Sequence, residues 1–274
     1  MQRRSRVKNV LSIVVLVLLV SALAFVVAGY REARSDPIVR RLVLHDSDWP
    51  AGAPAMRLLL MSDLHALGPA TGADRLNRVV GQANALRPDV VVLAGDFVAS
   101  GRFGPEHPDI RKAVEPLRAL RPTLGSFAVV GNNDRDDWEE TGEALREVGV
   151  TLLEDDAVQL GPLALGGVDT RVRRTMKRLR ALDGLKIIVA HTPDLFPRVR
   201  RGIPVILAGH THCGQIVLPW IGALETGSDY GTRFLCGIRR EGGRTLIVTA
   251  GIGTSKVPLR IGAPPDMWLI TIGR

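Results

Sequence analysis

Short aliphatic runs, each closed by Gly, Asp, His or Asn, recur along the chain from residue 56 onward. They occupy Met56–Met61, 90–94, 127–130, 187–190 and 205–208. Unbroken apolar runs of this length, rich in Val, Ile and Leu, predict strands buried on both faces, because a strand with one wet face alternates apolar and polar positions. Between the early runs the period lengthens. Over 74–86, Leu76, Val79, Val80 and Ala83 fall on one helical face, and further helices are predicted over 110–120 and 138–148. Pro116 is expected to kink the second of these, since it has no backbone N–H to donate. A strand over 39–44 precedes the series, with Arg40 and Arg41 expected at the surface. Strand–helix alternation up to residue 150 implies mostly parallel pairing.

Strands dominate the second half, where they are predicted over 151–153, 163–167, 186–191, 205–209, 215–218, 234–237, 244–250 and 267–272. This count suits an α/β fold built as a two-sheet sandwich flanked by helices. Residues 171–180 form a cationic amphipathic helix with Val172, Met176 and Leu179 on its narrow apolar side. Such a face is either simply solvated or laid against anionic lipid. Residues 220–234 are expected as a long loop. Its Trp220, Ile221, Leu224, Tyr230 and Phe234 either line a lipid-binding groove or pack over the sheet.

The chain begins differently. From Val10 to Gly29 only Ser12 and Ser21 interrupt an apolar stretch, which as a helix at about 1.5 Å per residue matches a bilayer core of about 30 Å. It is longer than the apolar core of about 7–15 residues in a cleaved signal peptide, so an uncleaved single-pass membrane anchor is favoured. The expected organisation is a basic segment (1–9), a transmembrane anchor (10–29), a linker (30–37) and one domain (38–274). Arg3, Arg4, Arg6 and Lys8 precede the span, and Arg31, Arg34, Arg40 and Arg41 follow it. The positive-inside comparison is therefore nearly tied, and the side holding the domain stays open.

The net charge of +8 admits nucleic acid in principle, but no aromatic residues interleave with the basic ones, so nucleic acid is not the expected partner. A phosphate-bearing substrate or an anionic bilayer surface accounts for the charge at least as well. Cys213 and Cys236 are the only cysteines. They are read as small structural residues, because two are too few to infer a disulfide.

Chemistry-bearing residues sit where the apolar runs stop. Ser62-Asp63-Leu64-His65 is followed by Gly95-Asp96, Gly131-Asn132-Asn133-Asp134, Ala190-His191 and Gly209-His210-Thr211-His212. Strand ends at one edge of a sheet share a crevice, so these groups can converge. Four of the six histidines fall on the pattern, and only His45 and His107 lie outside it. Carboxylate, imidazole and amide donors suit divalent transition metals, and an ion pair about 3.5–4 Å apart is an established device for cleaving phosphate esters.

The ordered series D-x-H, G-D, G-N-x-D, H, G-H-x-H resembles the calcineurin-like metallophosphoesterase superfamily. Residues 209–216, Leu218-Pro219 and 250–255 resemble more narrowly a membrane-associated branch of bacterial phosphodiesterases. That branch includes UDP-2,3-diacylglucosamine pyrophosphatases of lipid A synthesis. The resemblance implies two divalent ions, of Mn, Zn or Fe. It assigns Asp63, His65, Asp96 and His212 to one, and Asp96, Asn132, His191 and His210 to the other, with Asp96 bridging. A water or hydroxide between such ions attacks phosphorus near neutral pH. Asn133 and Asp134 are the candidate catalytic residues. The superfamily usually carries His at the position of Asn133, and an amide cannot act as a general acid. This departure favours a good leaving group, as in a pyrophosphate or activated diester, with Arg135 near enough in sequence to meet phosphate charge. The expected activity is hydrolysis of such a bond in a lipid-linked substrate, UDP-2,3-diacylglucosamine leading. The alternatives are a broad extracytoplasmic phosphodiesterase and a metal-free scaffold of the same fold.

Overall fold

The computed structural model describes residues 2–47, 49–106, 108–199 and 202–274. The side chains of Arg3, Arg4, Arg6 and Lys8, and the whole of His107, lie outside the described residues. A single helix, α1 (Gln2–Ala33), carries the N-terminal apolar stretch. It is long and apolar enough over Asn9–Ala33 to cross a membrane, and its large apolar side chains are exposed from Val10 to Val27. The helix continues into the expected linker and is fastened there. Arg260 N donates to Gly29 O (3.0 Å), the Tyr30 hydroxyl donates to Pro69 O (3.2 Å), and Ala33 is fully buried.

The elements that follow are β1 (Ile38–His45), β2 (Met56–Met61), α2 (Ala73–Ala85), β3 (Val90–Leu93), α3 (Ile110–Val114), β4 (Gly125–Ala128), α4 (Trp138–Glu147) and β5 (Val150–Leu152). Then come β6 (Asp156–Leu160), β7 (Leu163–Val168), α5 (Val172–Arg180), β8 (Leu185–Ala190), β9 (Val205–Ala208), β10 (Val217–Leu218), β11 (Gly222–Ala223), β12 (Gly237–Glu241), β13 (Arg244–Val248) and β14 (Asp266–Gly273). One six-stranded sheet runs β1-β14-β2-β3-β4-β5 and the other β12-β13-β9-β8-β7-β6, with β10-β11 as a separate ribbon. Within the two large sheets, pairing is parallel except at β14–β2, β6–β7 and β12–β13.

Burial on both faces explains the unbroken apolar runs. Leu58, Leu60, Val90 and Val92 point between the sheets, where they meet Leu165, Ile187, Val189 and Leu207. Their neighbours Leu59, Met61, Val91 and Leu93 point the other way, under α2, α3 and α4. Across the molecule, Ile188, Ile206 and Leu246 lie under Met176 and Leu179 of α5. Alternation is present, but both sides of it are apolar.

Four local expectations are corrected. The helix predicted over 110–120 is α-helical only to Val114 and tightens to a 3₁₀ turn over Glu115–Ala119, as Pro116 requires. The strand expected at 234–237 instead begins at Gly237, after a 3₁₀ turn at Gly231–Phe234 that puts Phe234 edge-on to Phe196, 5.4 Å between ring centres. The loop 220–234 contains β11, and it divides the two roles left open for it: Phe234 packs against the sheet side, while Trp220, Ile221 and Leu224 are exposed. Cys213 and Cys236 form a disulfide with their Cα atoms 4.8 Å apart. They meet because the chain between them doubles back through β10 and β11, which their separation in sequence does not reveal.

Candidate metal centre

Each segment of the pattern follows a parallel strand: Asp63 after β2, Asp96 after β3, Asn132 after β4, His191 after β8 and His210 after β9. The chain turns sharply to aim them. Asp63, His65, Asp96, His210 and His212 adopt left-handed φ values of 53°, 41°, 57°, 69° and 50°, a conformation costing about 1–3 kcal/mol at each non-glycine residue. Crossed backbone bonds hold this strain, with Asp63 N donating to Gly95 O (2.9 Å) and His65 N to Asp96 O (3.1 Å). Two motif glycines make room for the carboxylates. A Cβ on Gly131 would lie 2.0 Å from Asp96 Oδ1, and one on Gly209 would lie 2.3 Å from Asp63 Oδ2.

Two donor groups result, Asp63–His65–His212 and Asp96–His191–His210, with the ligand atoms of each within 4.8 Å of one another. In the first, His65 Nε2 lies 3.1 Å from His212 Nε2, and Asp63 Oδ1 is 3.4 Å from His212 Nε2. In the second, His191 Nε2 lies 3.0 Å from His210 Nδ1 and 3.0 Å from Asn132 Oδ1. Asp96 faces both, its Oδ2 being 3.6 Å from His65 Nε2 and its Oδ1 3.4 Å from His191 Nε2. All the residues assigned to two ions are therefore brought together.

These residues fit cations. Asp63 Oδ2 accepts the His210 backbone N–H (2.9 Å), whereas Oδ1 is buried with no hydrogen-bond partner. An orphaned carboxylate oxygen among imidazole nitrogens is costly unless a positive ion meets it. His191 Nδ1 donates to Ala94 O (2.7 Å), which turns Nε2 toward the cluster. Burial lowers the pKa values of His65, His210 and His212, so these rings are held in the neutral, ligating form. His191 departs from this. Burial is the largest single influence and pushes it down, but the Asp96 charge and hydrogen bond, the Asp63 charge and the Ala94 carbonyl together raise it to about 10. Burial pushes Asp96 up most strongly, but the His191 charge and hydrogen bond, the His65 charge and the Asn133 N–H together lower it.

Asn133 sits at the edge of the cluster. Its Nδ2 is 3.3 Å from His65 Nδ1, and its backbone N–H donates to Asp96 Oδ1 (2.9 Å). Asp134, read from sequence as a catalytic candidate, has its carboxylate committed elsewhere. It accepts from the backbone of Asp96 (2.8 Å), Phe97 (2.9 Å) and Gly131 (2.9 Å), and so acts on the site by fixing the Asp96 loop. Burial, and then the Asp96 charge, raises its pKa to about 6. Arg135 is paired with Asp169 at 2.7 Å and is not a free phosphate contact. Beside the cluster opens a cleft of about 320 Å³, lined by Asn132, His210, His212, Gln215, Leu224 and Lys256 among others.

Arg260 was not anticipated from sequence. Its fully buried guanidinium donates to the carbonyls of Ala250 (2.6 Å), Gly253 (2.7 Å) and Ala263 (2.9 Å), and Nη2 lies 3.2 Å from His212 Nδ1. The one hint was an arginine placed among apolar, Gly and Pro residues at 257–265.

A family model described as calcineurin-like phosphoesterase matches residues 56–214. A transmembrane protein with metallophosphoesterase domain from Danio rerio is 30% identical, covering 94% of this chain and 62% of its own length. A protein of the same description from Bos taurus is 28% identical, covering 88% of this chain and 58% of its own length. The chain thus spans only about three fifths of those two relatives. A metallophosphoesterase of Aquifex aeolicus (strain VF5) is 28% identical over 85% of this chain and 91% of its own. Among solved structures, TT1561 of Thermus thermophilus has a TM-score of 0.46 at 16% identity, over 73% of this chain and 91% of that one.

Proposed function

The chain belongs to the calcineurin-like phosphoesterase family, and on that premise we propose a membrane-anchored, two-metal phosphoesterase that cleaves a pyrophosphate or phosphodiester bond in a lipid-borne substrate. The observation that carries this reading is Asp96, which presents one carboxylate oxygen to each histidine group. Two divalent ions bound there would supply Lewis-acid charge for the phosphoryl oxygens and an acidified water. The donor set does not choose among Mn, Zn and Fe.

The chain's own residues define the rest. Asp63, His65 and His212 would hold one ion and His191, His210 and Asn132 the other, with Asp134 and Arg260 keeping Asp96 and His212 in place. Asn133 can offer an amide N–H to a phosphoryl oxygen but no proton to a leaving group, which favours anhydrides and activated diesters over alkyl monoesters. Lys256 and Glu225 pair with each other on the cleft wall.

Two features support a lipid-borne substrate met outside the cytoplasm. Arg260 links the anchor to the cluster, since its backbone bonds Gly29 and its side chain adjoins His212. The Cys213–Cys236 disulfide, next to His212, favours an oxidising compartment. That placement weighs against UDP-2,3-diacylglucosamine, a cytoplasmic nucleotide-lipid, and in favour of the extracytoplasmic phosphodiesterase. The test is turnover of bis(p-nitrophenyl) phosphate and of a lipid pyrophosphate by the purified full chain with Mn²⁺. Hydrolysis abolished by chelation is expected. Failure on both substrates would instead support the scaffold.

A further inference from the structure

From Ile216 to Leu224 the sequence reads Ile-Val-Leu-Pro-Trp-Ile-Gly-Ala-Leu, nine residues without one polar side chain. The structure does not bury them. Trp220 at the turn between β10 and β11 is fully exposed, Ile221 is 71% exposed and Leu224 59%. Single exposed apolar residues are ordinary, but an all-apolar hairpin tip led by a bare tryptophan calls for a partner.

The surroundings of the hairpin identify that partner. Its base is bonded to the segment at Ile261, with Val217 N donating to Ile261 O (2.8 Å) and Ile261 N donating to Gln215 O (2.9 Å). The other side of the same segment holds the end of α1. Arg260 N donates to Gly29 O, and a Cβ on Gly29 would lie 2.8 Å from Ile261 Cδ1. Gly29 is the last residue of the apolar stretch, and Tyr30, Arg31 and Arg34 follow it, residue types suited to a membrane–water interface. At about 3.3 Å per residue the tip lies within roughly 10 Å of Val217. The apolar tip and the exit of the anchor are therefore neighbours, separated by one segment of chain.

We infer that the β10–β11 hairpin is a membrane-contact element that dips Trp220 and Ile221 into the interface of the bilayer spanned by α1, seating the cleft at the lipid surface. This rests on α1 being a membrane anchor, as proposed above. Leu224 ties the tip to the site, because it lines the cleft while its N–H donates to Ile216 O (3.0 Å). A lipid-borne phosphate ester would thus meet an apolar wall running from the bilayer to the metal cluster.

Tryptophan fluorescence tests this directly. The chain has four tryptophans and none lies in α1, while Trp49 and Trp268 are buried. The full chain is placed in nanodiscs with brominated acyl chains. Quenching of the wild type that disappears in Trp220→Phe supports the inference. A wild type that is not quenched, or quenching that persists in Trp220→Phe, overturns it, as does a tip covered by a second copy, shown by cross-linking through residue 220 between chains. In a second arm, Trp220→Ser with Ile221→Ser lowers turnover of a bilayer-borne phosphate ester by at least about tenfold, a fraction of the effect of fully burying one aromatic and one aliphatic side chain, and leaves bis(p-nitrophenyl) phosphate turnover unchanged. Equal loss on both substrates overturns the inference. A wild type inactive on both substrates defeats the enzymatic reading instead, and the quenching then decides on the hairpin alone.

Discussion

His191 meets the Ala94 carbonyl at Nδ1 and, at Nε2, Asn132 Oδ1, His210 Nδ1 and the Asp96 carboxylate. Its pKa of about 10 means that the metal-free protein carries it as imidazolium at neutral pH. Ligation requires the neutral ring, so binding of the second ion must release this proton. His65, His210 and His212, lowered by burial, release none. Apparent metal affinity should therefore rise about tenfold per pH unit between pH 7 and 9 and level off near 10, following loss of one proton. Titration calorimetry in buffers of differing ionisation enthalpy measures that proton. Arg260 makes a second prediction at this scale. Arg260→Met leaves the carbonyls of Ala250, Gly253 and Ala263 without donors, at about 1–3 kcal/mol each, and should unfold at distinctly lower temperature. Arg260→Lys should fold but bind metal about 10–100-fold more weakly, as expected when a ligand's support is loosened. The clustering of these side chains could be anticipated because each carries its own chemistry at a strand end. Arg260 could not, because its role depends on carbonyls at three positions, Ala250, Gly253 and Ala263, of the irregular segment that contains it.

Among the elements, the strands that form the core could be read from sequence where both faces are apolar. β2, β3 and β9 lie where their aliphatic runs predicted. β6 escaped because Asp156 and Gln159 break its run and its pairing with β7 is antiparallel at a sheet edge. β11 and the disulfide escaped for a related reason, being fixed by contacts across a turn and not by any periodicity. The Cys213–Cys236 bridge closes a loop containing β10 and β11. Replacing both cysteines with serine should cost about 2–4 kcal/mol. Thermal melts with and without reductant check this: the wild type loses stability on reduction and the double variant does not respond. Because Cys213 adjoins His212, the same change should also weaken metal binding at the first donor group.

At the scale of the whole molecule, two sheets pack face to face so that strands from both deliver their ends to one edge. β2, β3 and β4 of one sheet contribute Asp63, Asp96 and Asn132, while β8 and β9 of the other contribute His191 and His210. Helix α1 reaches the same region through Gly29 and Arg260. That convergence was legible in the order of the motifs. The docking of α1 was not, since nothing in an apolar span reveals what its last turn touches. The central claim is that one carboxylate joins two ion sites across the sheets, and metal content tests it most directly. Elemental analysis of the purified full chain should find two ions per chain in the wild type and at most one in Asp96→Asn, with the variant's fold intact by circular dichroism. Two tightly held ions in Asp96→Asn, or none in a wild type supplied with Mn²⁺, Zn²⁺ and Fe²⁺, would contradict the account.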